Sequence, residues 1–113
     1  MRKEPVTLFG QMVEAGGLRA ASRALGYLGA WAMTSNKLGH PASVDEFVLE
    51  WRSSRATTYR EREALEKSLP DGWTIQRMLD FVWANRRSLG VALGGVERGA
   101  SVMRAVAELR LPV

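Results

Sequence analysis

The sequence predicts an all-α fold, a single domain of five or six helices. Apolar residues recur every three to four positions along nearly the whole chain of 113 residues, which places them on one face of a helix. Glycines and prolines divide the chain into about five segments, and none of these alternates apolar and polar residues as a half-buried strand would. Hydrophobic residues make up 46% of the chain, enough to bury one core. We therefore expect one helical domain over residues 1–113.

Two helices are predicted in the first third of the chain. The first ends or bends at Gly16-Gly17, and the second is a central helix over residues 18–38 that stops at Gly39. Gly26 and Gly29 lie inside the central helix, where each costs roughly 1 kcal/mol relative to alanine. We expect them to permit close packing of a neighbour or to mark a kink.

A short helix, a tight turn and a longer helix are predicted over residues 43–69. Ser43 and Glu46 form a capping box, in which each side chain accepts a hydrogen bond from the other residue's amide, so a helix begins at residue 44. It must end near Arg52-Ser53, because Ser54 is well suited to cap the next helix. That helix runs to the end of the range, before a Pro-Asp-Gly turn. These are the parts of a helix-turn-helix.

Two more helices are predicted after this turn. Thr74 can cap a long helix whose apolar residues continue to Leu89, and a short helix bearing Val102, Val106 and Leu109 closes the chain. Several glycines between these two helices predict an irregular connection, and a small hairpin around residues 90–95 is the alternative structure there.

The longer helix of the 43–69 range has one face suited to packing and an opposite face suited to solvent or a ligand. Thr58, Leu65 and Leu69 share one side because their spacing is seven and four residues. The opposite side presents Arg60 and Glu63, and the helix tip presents its first residues. Residues predicted to contact DNA are Ser54, Arg55, Ala56, Thr57, Tyr59 and Arg60.

The chemistry of these side chains suits duplex DNA. Ser54 and the adjacent helix amides can bind a phosphate, and Arg55 can form two hydrogen bonds to a guanine edge. Thr57 or Tyr59 can reach a phosphate or a thymine methyl group. Arg60 extends the positive charge along the outer face. In the alternative interpretation this face is merely solvated, and its arginines pair with glutamates of the same helix at positions 63 and 66.

The sequence of this segment resembles known DNA-binding proteins. Residues 47–60, F-V-L-E-W-R-S-S-R-A-T-T-Y-R, resemble the helix-turn-helix of many bacterial regulators, where S-R-A-T-x-Y-R opens the recognition helix. W-A-M-T-S-N-K-L-G-H-P-A-S-V-D-E-F through S-R-A-T-T-Y-R-E-R-E is similar to small helix-turn-helix proteins of actinobacteria and their phages. The resemblance implies sequence-specific binding of double-stranded DNA in transcription or phage regulation. Two positions depart from the pattern, because Arg52 replaces the usual turn glycine and Ser53 replaces a buried aliphatic residue.

A second helix-turn-helix is conceivable upstream. Residues 14–26 read like the first helix and turn of such a motif in the LysR-type regulators. The following residues, 27–33, offer almost no donors for base edges, so a buried helix is the favoured interpretation. The tryptophans at positions 31, 51, 73 and 83 could stack on exposed bases, but their apolar helical context favours core packing.

Composition limits the other classes of function. Sixteen Lys and Arg against twelve Asp and Glu give a net charge of +4, which favours a polyanionic partner or an anionic membrane surface. The chain has no cysteine and a single histidine, His40, so we expect no metal site, no cofactor and no enzymatic activity. No stretch is apolar enough to span a membrane, and a cytoplasmic protein is expected.

Two predictions concern protein partners. Helix-turn-helix proteins commonly read two half-sites as dimers, so a homodimer is expected, with the last helix and its residues Val102, Val106 and Leu109 as the candidate interface. The rival to DNA binding is a helical protein-interaction module, an adaptor or an inhibitor of a host protein that binds through an amphipathic face.

Overall fold

The computed structural model describes residues 7–89 and 98–112. This part of the chain folds into six α-helices and one short 3-10 helix, which confirms the predicted all-α class. The helices are α1 (Leu8–Gly16), α2 (Leu18–Leu38), α3 (Val44–Trp51), α4 (Arg55–Lys67), α5 (Ile75–Ala84), the 3-10 helix (Arg86–Leu89) and α6 (Arg98–Ala107). The hairpin considered around residues 90–95 lies outside the described residues.

Helix α2 is the centre of the fold. Its 21 residues give it a length of about 31 Å, and it contacts every other α-helix. Tyr27, Leu28 and Trp31 of α2 are buried, and side chains from the surrounding helices complete one core. The Leu8 amide donates to the Leu109 carbonyl over 2.6 Å, which ties the start of α1 to the chain after α6.

Glycines allow two helices to approach their neighbours closely. A Cβ atom on Gly16 would lie 2.5 Å from the backbone carbonyl oxygen of Lys67, and one on Gly29 would lie 2.8 Å from Cγ of Met103. A Cβ on Gly26 would meet nothing within 4 Å. Helix α2 continues through both of its glycines. Gly29 therefore serves the predicted close packing, whereas Gly26 does not.

Alanine at two of these glycines should have opposite effects. Gly16→Ala places a methyl group against the backbone of Lys67, so it should lower the free energy of unfolding by about 1–3 kcal/mol, as overpacking does. Gly26→Ala has open space and should raise that free energy by up to about 1 kcal/mol through helix propensity. Urea denaturation of both variants measures the difference. Equal effects would contradict the close approach of α1 to the end of α4.

The upstream helix-turn-helix considered from the sequence is not formed. Residues 18–38 are one uninterrupted helix, so no turn separates two helices near residue 26. Tyr27 and Trp31, which would lie on the second helix of that motif, are 1% and 2% exposed. The buried helix favoured by the apolar composition of residues 27–33 is confirmed.

Two helices end earlier than their apolar patterns indicate. Helix α4 stops at Lys67 rather than near residue 69, and the Ser68 hydroxyl donates to the Ala64 carbonyl over 3.0 Å. Helix α5 stops at Ala84 rather than continuing to Leu89. There the Asn85 side-chain amide donates to the Phe81 carbonyl over 2.8 Å, and such local bonds compete with continuation of a helix.

The residues of α6 and of the segment after it that were expected to form a dimer interface are buried within the chain. Val102 and Val106 are 0% exposed and Leu109 is 9% exposed. They cannot contact a second copy without leaving this core, so the predicted dimer interface is wrong.

The four tryptophans differ in burial. Trp31 lies in the core as predicted, and Trp73 and Trp83 are half-buried beneath arginine side chains. Trp51 departs from the prediction, because 44% of it is exposed.

Candidate nucleic-acid interface

The segment from α3 through the turn at residues 52–54 to α4 is called here the α3–turn–α4 segment. Its first helix begins as predicted. The Ser43 hydroxyl accepts from the Glu46 amide over 3.1 Å, and the Ser43 amide donates to the Glu46 carboxylate over 2.9 Å. The bond from the Ser43 amide favours the charged carboxylate and is the main reason that the pKa of Glu46 is lowered. The capping box predicted from the sequence is confirmed.

Helix α2 holds the start of this segment in place. The indole nitrogen of Trp31 donates to the Ala42 carbonyl over 3.0 Å, and the Ala42 amide donates to the Ser35 hydroxyl over 2.9 Å. Both backbone groups of Ala42 are therefore bonded to buried side chains of α2. Since Ala42 immediately precedes the capping residue Ser43, these bonds fix where α3 leaves the core.

The turn adopts a backbone conformation that normally selects glycine. Arg52 has φ 50° and ψ 27°, the left-handed region, and is the non-glycine residue with positive φ in the described part of the chain. Ser53 is half-buried, and its hydroxyl lies 3.2 Å from that of the buried Thr58, which donates to the Ser54 carbonyl over 3.1 Å. A hydroxyl pair thus replaces the usual aliphatic contact. Helix α3 ends at Trp51, just before the expected Arg52-Ser53, so three residues separate it from α4.

Replacing Arg52 with glycine should stabilise the protein. A left-handed conformation costs an L-residue roughly 1–2 kcal/mol, and glycine avoids this cost. Glycine also makes the unfolded chain more flexible, which offsets part of the stabilisation. Arg52→Gly should therefore raise the free energy of unfolding by about 1 kcal/mol, measured by urea denaturation. Arg52→Ala is the control, because it removes the guanidinium and keeps the Cβ atom that causes the strain. A similar gain in both variants would show that backbone strain is not the cause.

Helix α4 begins at the predicted residue and faces the predicted way. The Ser54 hydroxyl accepts from the Thr57 amide over 3.0 Å, so Ser54 is the N-cap. Thr58 and Leu65 are 0% exposed and pack on the core side of α4. Among the predicted DNA-contacting residues only Thr57 is half-buried; those exposed are Ser54, Arg55, Ala56, Tyr59 and Arg60.

Arg55 pairs with an acidic residue of the preceding helix. Its guanidinium donates to the Asp45 carboxylate of α3. The hydrogen bond to Asp45 raises the pKa of Arg55 above its ordinary value, and the attraction between the two charges adds to this. This pairing is not evident from local spacing, because Asp45 and Arg55 lie ten residues apart on different helices.

Arg60 and Arg62 do not form the glutamate pairs of the solvated-face interpretation. Among the described residues, Arg60 donates hydrogen bonds to the Ala56 carbonyl and the Thr57 hydroxyl, each over 3.4 Å. Arg62 reaches towards the core and donates to the Tyr27 hydroxyl over 3.1 Å. Neither guanidinium belongs to an ion pair between described residues. Arg60 is thus available at the surface, whereas Arg62 helps to fix α4 on α2.

The acidic residues of α3 all have positively charged or hydrogen-bonding partners. Besides the bond from Arg55 to Asp45, Glu50 pairs with Lys37 over 2.7 Å. Glu46 lies 3.2 Å from His40 and accepts the Ser43 amide. This pairing reduces the negative potential that α3 would otherwise present beside α4.

A metal-binding cluster and a membrane-spanning helix are both absent from the described residues. Within residues 7–89 and 98–112, no group of His, Asp and Glu is arranged to hold a metal ion, and no helix combines the length and apolar character needed to cross a membrane. Comparison of the chain with family models, curated proteins and solved structures finds no match.

Proposed function

We propose that this protein binds double-stranded DNA in a sequence-specific manner through the α3–turn–α4 segment, as a regulator of transcription or of a phage cycle. The observation that carries the proposal is the position of the six predicted contact residues. They lie together on the N-terminal half of α4, and the opposite face of that helix is buried in the core. The first half of α4 is the part proposed to enter the major groove.

The dimensions and the free donors of α4 suit this role. Its 13 residues form a helix about 20 Å long, and the major groove is about 12 Å wide and admits such a helix. The Ser54 hydroxyl accepts from the Thr57 amide, and the Ser54 carbonyl accepts from the Thr58 amide. Among the described residues, no acceptor is bonded to the amides of Arg55 and Ala56. These free amides, at the positive end of the helix dipole, can bind a backbone phosphate.

The proposal is tested by selecting duplexes from a random-sequence pool with the full chain. We expect an enriched motif of a few consecutive base pairs, and affinity that falls steeply with added salt because phosphate contacts release counterions. If two copies bind, the motif should be an inverted repeat with half-sites about 10 base pairs apart. Absence of both enrichment and salt dependence would overturn the proposal.

The second candidate is a helical protein-interaction module. Leu49 of α3 is 77% exposed and Leu18 of α2 is 64% exposed, and apolar residues at the surface suit a protein partner. These two residues lie on different helices, and single exposed apolar residues are common on soluble proteins. DNA binding therefore has the stronger support, and failure of the selection experiment together with recovery of one stoichiometric protein partner would reverse this order.

A further inference from the structure

A basic groove runs between α4 and the first turns of α2, and none of the six residues predicted to contact DNA lies on its α2 side. It has a volume of about 460 Å³. We call it the α2–α4 groove. Its charged lining residues are Arg19, Arg23, Arg60, Glu63 and Lys67. Four cations and one carboxylate leave an excess of three positive charges along this groove.

The cations of the groove are available to a ligand. All four are exposed, and none is a member of an ion pair between described residues. Burial raises the pKa of Glu61, and the nearby positive charge of Arg23 opposes part of this rise. The hydrogen bonds of Arg60 within the described chain go to uncharged oxygens. Among the described residues the groove therefore keeps a net positive charge.

The spread of these cations fits a polyanionic strand better than a single anion. Arg19 and Arg23 are one turn apart, about 6 Å along α2, and Arg60 and Lys67 are about 10 Å apart along α4. One phosphate cannot contact all four. Phosphates follow one another every 3.4 Å of axis along each DNA strand, so a strand lying in the groove would pass several of them.

We propose that the α2–α4 groove binds the phosphodiester backbone of one strand of the duplex whose major groove α4 enters. The inference rests on the proposed function and extends the contact surface from α4 to α2. A helix with its side chains is about 10–12 Å wide and fills a groove of about 12 Å. Cations on the helix beside α4 consequently lie at the rim, where the phosphates are. Arg60 lies on the boundary between base-facing and phosphate-facing residues.

The test compares the salt dependence of DNA binding in matched double variants of the full chain. Arg19→Gln/Arg23→Gln should reduce the slope of log affinity against log salt by about 2, because each lost phosphate contact removes about 0.9 from the slope. The loss should be the same on a random duplex and on a selected duplex, since phosphate contacts carry no sequence information. Arg19→Lys/Arg23→Lys should keep most of the slope, because lysine also binds phosphate.

The control is Arg87→Gln/Arg104→Gln, which removes two exposed arginines outside the groove. It should leave the slope nearly unchanged, which separates local contact from net charge. If wild type binds DNA and Arg19→Gln/Arg23→Gln keeps the wild-type slope, the groove inference is wrong and the proposed function stands. If wild type binds no duplex even at low salt, both are wrong. Circular dichroism establishes that each variant is folded.

Discussion

Trp31→Ala should lower the free energy of unfolding by about 3–5 kcal/mol, the cost of removing a buried tryptophan. Domains of this size are stable by only about 5–15 kcal/mol. Trp31 is 2% exposed, and its indole nitrogen holds the Ala42 carbonyl. The substitution therefore leaves a cavity beside α2 and also releases the loop from which α3 begins.

Two further variants separate the effect of the cavity from that of the lost hydrogen bond. The free energy of unfolding of each variant is measured by urea denaturation followed by circular dichroism. Trp31→Phe keeps most of the ring volume but removes the donor to Ala42, so it should cost less than Trp31→Ala. Trp83→Ala removes a half-buried tryptophan and should also cost less. If Trp31→Ala lowered the free energy of unfolding by less than about 1 kcal/mol, the placement of Trp31 at the centre of the core would be contradicted.

Opposite effects on DNA binding are expected from the two members of the Arg55–Asp45 pair. Arg55→Ala should weaken binding to a selected duplex by roughly ten- to a hundredfold and relax the preference at one base pair, as loss of a bidentate base contact does. Asp45→Asn should strengthen binding several-fold, because it removes a negative charge beside the duplex and releases the guanidinium.

Comparison of these variants distinguishes a DNA-contacting Arg55 from a structural one. Both residues are exposed, and an exposed ion pair contributes little to folding, so both variants should remain folded. Lysine at position 55 should keep the affinity for random DNA and lose much of the base preference, because an ammonium cannot form the two-pronged contact. If Arg55→Ala and Asp45→Asn change binding in the same direction, the guanidinium serves the pair and not the DNA.

Helix boundaries were largely predictable because they depend on nearby residues. The caps at Ser43, Ser54 and Thr74 each accept from an amide three residues later, and this pattern can be read from the sequence. Gly39 ends α2 in the left-handed conformation. The early end of α5 was missed, because apolar spacing continues past Asn85 and does not register the competing side-chain bond there.

Contacts between distant parts of the chain were not predictable in the same way. The bond from Trp31 to Ala42 spans 11 residues and that from Arg62 to Tyr27 spans 35, and nothing in local spacing specifies either. The apolar face of α6 was predicted correctly. An apolar face does not specify what it packs against, and here it packs against α2 of the same chain and not against a second copy.

The candidate interface was predicted in its α4 part and missed elsewhere. The outward direction of the exposed α4 residues followed from the buried positions of Thr58 and Leu65. The position of Arg19 and Arg23 beside α4 could not be predicted from local spacing, because it depends on how α2 packs against α4. Physical packing thus adds a second row of cations to the one that the sequence indicates.

The most direct test of DNA contact by the first half of α4 is a nuclear magnetic resonance titration of the isotope-labelled full chain with a selected duplex. We expect the largest amide shifts at residues 54–60, with a second group at residues 19–23. Shifts confined to α5 and α6, or no shifts at duplex concentrations that saturate binding, would contradict the placement of the interface on α4.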